Sequence, residues 1–252
     1  MALRYISPIL LVISFTQLLA QQVMPMPDRL GNVWMASGTR VLKIDLKGDV
    51  AASYSNITLG EPHSIDPSDP FRVLVFYRNT QNIVLLSNDA SPIGQPVGLA
   101  ALVSGQSSAV ARSARGGIWV LNDAAGEVIL LSNQLQPLGH RVNLNPKQFP
   151  RSPSSLAEMG AILYLGLSGK GIARFDSFGS PLPTLSNSYD PETGFRVDND
   201  RIWLKQDGKI VFLNLNDPSA PPELFACTCP GLPFSFAGNI YCLSGTTPSL
   251  CE

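Results

Sequence analysis

The sequence predicts an all-β protein built from six copies of one unit of about forty residues. The first observation is an aromatic residue that recurs 43, 42, 45, 39 and 38 residues apart, each time after at least one apolar residue, at Trp34, Tyr77, Trp119, Tyr164, Trp203 and Tyr241. The second is another apolar run, which begins six to nine residues later in the first five copies. Third, the 21 glycines and 21 prolines are spread along the chain, which is typical of many short elements joined by turns.

One copy, residues 116–139, shows how each unit is expected to fold. Its sequence GGIWVLNDAAGEVILLSNQLQPLG contains two apolar runs of the β-branched and aromatic residues that favour strands. The Asn, Asp and Gly residues between and after the runs favour chain reversal. Each copy therefore predicts a hairpin, and the 15–20 residues between hairpins have room for two further strands, such as VAASYSN and PHSID. About four antiparallel strands per copy follow, and no helical periodicity is evident in the chain after its first 20 residues.

A four-stranded antiparallel sheet repeated about every forty residues resembles a blade of a β-propeller, in its NHL-like or YWTD-like forms. The resemblance rests on period and pattern, because the YWTD tetrapeptide and the Gly-His…Trp-Asp signature of WD40 repeats are both absent. It implies one domain over residues 21–252, with blades at approximately 21–57, 58–99, 100–145, 146–187, 188–227 and 228–252. A β-sandwich or barrel is the alternative architecture.

The sixth copy is incomplete, since eleven residues follow Tyr241. Propellers commonly close their ring by borrowing a strand from the other end of the chain. Residues 21–30 are therefore expected either to complete the last blade or to form the inner strand of the first. They are too few to do both well, so one blade is expected to have three strands.

The first 20 residues have the layout of a secretory signal peptide. Arg4 precedes an apolar stretch over about residues 6–20, and polar Gln21 follows. The stretch is short for a membrane span of about 20 residues and contains Pro8. We expect cleavage after Ala20 and an exported mature chain, periplasmic or extracellular, with no membrane span because no second long apolar run follows.

Four cysteines close together near the end of an exported chain predict disulfides. If GTTP turns the chain with residues 246 and 247 at its tip, Cys242 lies opposite Cys251, where a cross-strand bridge is feasible. All three connectivities stay open. A zinc site of four thiolates is less expected, because structural zinc sites usually pair their ligands as C-x₂₋₄-C. Here the first pair is C-x-C and eight residues separate the second pair, among Cys227, Cys229, Cys242 and Cys251.

Composition and motifs exclude several classes of function. The net charge is −1 and only 15% of residues are charged, so no basic face is expected to neutralise nucleic-acid phosphates. The chain has two histidines and no G-x-S-x-G nucleophile elbow, and its GLSGKG segment lacks the order of a phosphate-binding loop. No cofactor and no metal are expected.

We therefore expect a non-enzymatic propeller that binds a protein partner, as a scaffold or a subunit of a cell-envelope assembly. The alternative is an enzyme or a carbohydrate-binding protein that holds a small molecule or glycan in the central funnel, with His63, Glu61 and an arginine converging near the axis. The competing interpretation of His63 is a loop histidine bonded to backbone or water. The predicted contact residues lie in loops that enter the inner strands, at His63, Gln106, Arg151 and Tyr189.

Overall fold

The structure is a computed structural model that describes residues 24–144, 155–167, 171–185, 194–198 and 200–251. These residues form 23 strands in six antiparallel sheets, with two short 3₁₀ turns at Ile57–Leu59 and Leu99–Ala101. No helical segment in these ranges has the length and apolar character needed to cross a membrane. The all-β prediction is confirmed.

Each sheet consists of strands that are consecutive in the chain, each paired with the one before it. We call these sheets blades 1 to 6. Blades 1 to 3 comprise β1 (Met26–Pro27), β2 (Val33–Ser37), β3 (Arg40–Ile44), β4 (Val50–Ser55); β5 (Ser64–Asp66), β6 (Val73–Tyr77), β7 (Asn82–Leu86), β8 (Val97–Gly98); β9 (Val110–Arg112), β10 (Ile118–Asn122), β11 (Glu127–Leu131) and β12 (Pro137–Asn143). Blades 4 to 6 comprise β13 (Ser155–Met159), β14 (Ile162–Leu167), β15 (Gly171–Phe175), β16 (Pro181–Leu185); β17 (Phe195–Asp198), β18 (Arg201–Gln206), β19 (Lys209–Asn214), β20 (Glu223–Leu224); β21 (Phe234–Phe236), β22 (Asn239–Ser244) and β23 (Thr247–Leu250).

The six blades stand in a closed ring. Apolar side chains fill the seam between every pair of neighbouring blades, including the seam between the last blade and the first. The first strands of neighbouring blades contact each other around the axis, as β13 does with β9 and β17, and as β1 does with β21. The protein is therefore a six-bladed β-propeller, as the repeat predicts, and the sandwich and barrel are excluded.

The repeated aromatic residues all lie in the second strands and pack between blades. Five of them, including Trp34, lie three residues before the last residue pair of the hairpin formed by the second and third strands. Tyr77 instead belongs to that last pair, opposite Asn82, so the predicted alignment of the second copy is wrong by three residues. An odd offset along a strand reverses the face. Tyr77 therefore packs back against blade 1, and Leu74 faces blade 3 in its place.

The strand order gives the ring two ends. At the upper end the first strand of each blade begins, and the turns between second and third strands lie there as well. At the lower end the first strand finishes, and this end carries the turns between first and second strands and between third and fourth strands. The contact residues predicted from the sequence belong to loops that enter the first strands, so all of these predictions concern the upper end.

The N-terminal segment stays with its own blade. β1 pairs with β2, with Met26 opposite Trp34, so it is the inner strand of blade 1. Of the two expected arrangements, the inner strand of the first blade is therefore confirmed, and completion of the last blade is not observed among the described residues. The expected three-stranded blade is blade 6. The cause is a tight turn in which the Asp28 carboxylate accepts hydrogen bonds from the backbone N–H groups of Leu30 and Asn32, both at 2.9 Å. This turn commits the segment to β2.

Arg196 on β17 links three blades where the ring closes. The residue is 2% exposed, and its guanidinium donates to the carbonyl oxygens of Leu232 and Pro233 before blade 6 and of Pro25 before blade 1. The distance from Nη1 to the Leu232 oxygen is 3.2 Å. Burial lowers the pKa of Arg196 to about 10, and the charge of Asp198 opposes that shift.

The four cysteines form two disulfides, as predicted. Cys227 bonds to Cys251 with Cα atoms 6.0 Å apart, and Cys229 bonds to Cys242 with Cα atoms 5.3 Å apart. The expected opposition of Cys242 and Cys251 is wrong, because the hairpin turns one residue earlier and Cys242 lies opposite Ser249. Both bridges instead tie the loop between β20 and β21 to blade 6.

Candidate functional site

His63 lies at the upper end, directly before β5. Its backbone N–H donates to the carbonyl oxygen of Phe76 at 2.7 Å, and its ring meets the Phe76 ring edge-on at 87°, with centroids 5.9 Å apart. Burial lowers the pKa of His63 to about 4, with the positive charge of Arg78 as the second cause. His63 is therefore a half-buried, neutral imidazole at pH 7.

Glu61 and Asp66, the two acids that flank His63 in the sequence, have different roles. Glu61 is exposed. Asp66 lies at the far end of β5, where its carboxylate accepts a hydrogen bond from the backbone N–H of Arg112 at 2.7 Å. This bond places the Asp66 carboxylate in the contact between blades 2 and 3. The arginine that the structure places near His63 is Arg78, from the turn after β6.

The other predicted contact residues divide into two groups. Gln106 is exposed at the upper end, in the loop before β9, and its carbonyl oxygen accepts a hydrogen bond from the backbone N–H of Asp123 at 3.2 Å. Arg151 and Tyr189 lie outside the described residues. The functional roles of all four residues, His63 included, stay predictions.

The lower end carries most of the large apolar side chains that the described residues leave exposed. Of ten such side chains, Ile57 and Leu224 belong to the upper end. Single exposed apolar side chains are common on protein surfaces, so it is their number among the described residues that makes the lower end a candidate interaction surface. The eight at the lower end, or at the strand ends beside it, are Leu30, Val50, Phe71, Ile93, Leu138, Met159, Phe178 and Leu250.

Three of these side chains stand on the same kind of turn, and we call them the lower-end anchors: Leu30, Phe71 and Phe178. Their exposed fractions are 49%, 63% and 82%. In each turn an aspartate carboxylate accepts a hydrogen bond from the anchor's backbone N–H two residues later, at 2.9, 3.1 and 2.8 Å. Such a turn fixes the backbone, so little backbone entropy remains to be lost when the side chain is buried by a partner.

The turn carboxylates are satisfied within the protein. The Asp176 carboxylate accepts from the backbone N–H groups of Ser180 and Phe178, both at 2.8 Å. These bonds lower the pKa of Asp176, with the Ser180 N–H as the largest cause. Asp28 additionally accepts from the indole N–H of Trp34 at 3.0 Å. The acids therefore hold the turns.

Exposed cations accompany the lower-end anchors. Arg29 is exposed directly before Leu30. Arg115, in the turn between β9 and β10, donates to the carbonyl oxygen of Ser177 at 3.0 Å and so joins blade 3 to the turn that carries Phe178. Neither arginine forms an ion pair with a described residue. The lower end thus combines apolar anchors with exposed positive charge.

The lower-end anchors are absent from the residues predicted from sequence. Their signal is an aspartate two residues before a large apolar residue, in the segments DRL, DPF and DSF. A turn accounts for each segment, because aspartate favours turns. Whether the apolar residue is then exposed to water depends on how neighbouring blades pack. A local sequence pattern does not predict this packing.

One group in the described part of the chain has the composition of a metal site. The Sγ atoms of the four cysteines all lie within 4.8 Å of one another, and no other group of three or more His, Cys, Asp or Glu residues there is comparably close. In the structure these sulfurs are bonded in pairs.

Comparison with known proteins shows the fold. No family model and no curated protein matches the chain. A streptogramin B lyase structure is similar with a TM-score of 0.60 and 13% identity, over 88% of this chain and 75% of that one. Virginiamycin B lyase from Staphylococcus aureus gives 0.57 and 14%, over 86% and 75%. The Pan2 WD40 domain of Neurospora crassa gives 0.56 and 11%, over 91% and 78%. At these identities the likeness concerns the propeller architecture alone.

Proposed function

We propose that this protein is an exported, non-enzymatic β-propeller that binds another protein through its lower end, as a scaffold or a subunit of a cell-envelope assembly. The observation that carries the proposal is the set of lower-end anchors, held in water on rigid turns. Large apolar side chains on rigid elements contribute much of the binding energy at protein interfaces. The signal-like N-terminus and the two disulfides support export.

A pair of variants tests the binding surface. Phe71→Ser combined with Phe178→Ser removes two anchors, and Ile57→Ser is the matched control because Ile57 is 83% exposed at the upper end. Each protein is captured from its native envelope after mild crosslinking. A stoichiometric partner should co-purify with the wild type and with Ile57→Ser, and should be reduced by about tenfold or more in the double variant, as expected when hot-spot residues are removed.

Folding of these variants is easily checked. All three substituted side chains are exposed, so the free energy of unfolding should change by no more than about 0.5 kcal/mol. Equal recovery of the partner by the double variant and the control would exclude the lower end as the binding surface. A wild-type protein that crosslinks to nothing in its native envelope would exclude the scaffold function.

Export has its own test. Intact-mass measurement of the protein from the native cell should show a chain that begins at Gln21, together with two disulfides. A cytosolic chain that still begins at Met1 would contradict the proposal, whatever the outcome of the binding experiment.

A second candidate is an enzyme or carbohydrate-binding function at the upper end. The observation that favours it is His63, because an imidazole that stays neutral at pH 7 keeps a ring nitrogen that can accept a hydrogen bond from a ligand. A glycan or small molecule bound there should be lost in His63→Gln and retained in the Phe71→Ser and Phe178→Ser double variant. The opposite pattern would exclude this candidate.

A further inference from the structure

We propose that the four cysteines form a site with two states: two disulfides in the oxidised chain and a tetrathiolate Zn²⁺ site in the reduced chain. The proposal concerns the closing blade and is independent of partner binding at the lower end. It rests on the positions of the sulfurs, on the backbone that holds them and on the chemistry of their surroundings.

The sulfurs already have nearly the spacing that zinc requires. Three of the four pairs of sulfurs that are not bonded to each other lie 3.2 Å apart for Cys242 and Cys251, 3.6 Å for Cys227 and Cys242, and 3.9 Å for Cys229 and Cys251. The fourth pair lies within 4.8 Å. Tetrahedral zinc with Zn–S bonds of about 2.3 Å places its sulfurs about 3.8 Å apart. Breaking the two S–S bonds lets the bonded pairs separate to that distance. The C-x-C spacing that disfavours zinc along the chain therefore does not prevent convergence in space.

Two of the cysteines are held by blade 6 itself. Cys242 lies inside β22 and is 4% exposed. The backbone N–H of Cys251 donates to the carbonyl oxygen of Ile240 at 2.8 Å, which continues the pairing of β22 with β23. Neither position depends on a disulfide, so both sulfurs stay in place when the chain is reduced.

The loop that carries Cys227 and Cys229 is attached at both ends. Before the cysteines, the backbone N–H of Phe225 donates to the carbonyl oxygen of Ile210 at 2.9 Å. After them, Arg196 donates to the Leu232 and Pro233 carbonyl oxygens. Reduction therefore frees only a short segment, and its two sulfurs remain near Cys242 and Cys251.

The surroundings suit a soft, compact cation. Cys229 packs in the apolar cluster between blades 5 and 6 with Phe225, Leu232 and Ile240. Thiolates in such a shell are costly unless a cation neutralises them. Soft thiolate ligands select zinc over magnesium or calcium. The site in its reduced state is thus a zinc site, with four sulfur ligands and no open position for a substrate.

The interconversion balances chemically. Reduction by a phosphine passes two electrons to each S–S bond, and water supplies the oxygen of the phosphine oxide and the protons of the two thiols formed. Zn²⁺ then binds four thiolates and releases four protons.

Cobalt titration tests the proposal. The purified protein is reduced with a phosphine without oxygen and titrated with Co²⁺. The expected result is one Co²⁺ per chain, with the visible bands of tetrahedral thiolate coordination and their loss on addition of Zn²⁺. The Cys229→Ser and Cys242→Ser double variant, reduced identically, should show no such bands, and neither should the oxidised wild type.

Either of two results overturns the proposal: no tetrahedral thiolate spectrum in the reduced wild type, or the same spectrum in the double variant. If the reduced, metal-free chain is unfolded, the titration is followed by far-ultraviolet circular dichroism. Zn²⁺ should then restore the β-sheet signal of the wild type and not that of the variant. Absence of restoration counts against the site, and partner binding through the lower-end anchors is unaffected by this outcome.

Discussion

The seam between blades 3 and 4 and the seam between blades 5 and 6 achieve the same closure by different means. Among the described residues, thirteen buried apolar side chains fill seam 3/4, and three fill seam 5/6. Seam 5/6 instead carries the contacts of Arg196 and the loop that the two disulfides bind to blade 6. Covalent and polar links thus occur where apolar burial is scarce.

Blade 6 explains the difference. With three strands it offers less apolar surface than its neighbours, so the hydrophobic contribution to its attachment is smaller. A disulfide stabilises mainly by restricting the unfolded chain, and a buried guanidinium satisfies carbonyl groups that would otherwise lie unpaired. Neither the disulfides nor the buried guanidinium needs a large apolar core, so both can stabilise the attachment of blade 6.

The largest expected effect concerns Arg196. Arg196→Ala leaves three buried or half-buried carbonyl oxygens without a donor and opens a cavity at the closing seam. We expect a loss of about 3–5 kcal/mol in the free energy of unfolding, measured by chemical denaturation. Arg141→Ala is the control, because Arg141 is exposed and its ion pair with Glu127 should contribute less than about 1 kcal/mol. Similar small losses in both variants would show that the stability of the contact between blades 5 and 6 does not depend on Arg196.

A smaller effect is expected from one disulfide. Cys229→Ala combined with Cys242→Ala should reduce the free energy of unfolding by about 3 kcal/mol, since the bridge spans a sequence separation of 13 residues. Proteolysis of the native protein should begin in the loop between β20 and β21, and β10 and β14, which pack against each other at seam 3/4, should stay protected. Cleavage that begins in β10 or β14 would reverse the ranking of the two seams.

The smallest expected effect separates two tryptophans. The indole N–H of Trp119 donates to Glu158 across seam 3/4, whereas that of Trp203 is buried with no hydrogen-bond partner among the described residues. Trp119→Phe should therefore cost about 1 kcal/mol more than Trp203→Phe in thermal or chemical unfolding. An equal or larger cost for Trp203→Phe would mean that the polar link at seam 3/4 contributes nothing.

The sequence predicted the features that a short segment specifies by itself. Strands and turns follow from residues within a few positions of each other, so the hairpins at Trp34, Trp119 and Trp203 are where the pattern places them. Tyr77 shows the limit, because an aromatic residue is equally compatible with either face of β6. The neighbouring blade decides the face.

Features that join distant parts of the chain could not be predicted. Arg196 and Pro25 are 171 residues apart, and no local signal links a guanidinium to a carbonyl at that separation. The cysteine pairing depended on a one-residue shift of the turn before β23. The lower-end anchors required knowledge of which turns the ring leaves uncovered. The candidate site therefore became visible only with the fold.

The missing fourth strand of blade 6 leaves β23 as an outermost strand with no partner among the described residues. The backbone N–H of Cys251 points towards β22, where it donates to the carbonyl oxygen of Ile240. Because successive residues of a strand direct their backbone N–H and C=O groups to opposite sides, those of Pro248 and Leu250 point away from β22. Proline has no N–H to offer, so this edge is a poor template for a strand from a neighbouring molecule. Association of two copies of the protein by strand addition to β23 is therefore disfavoured.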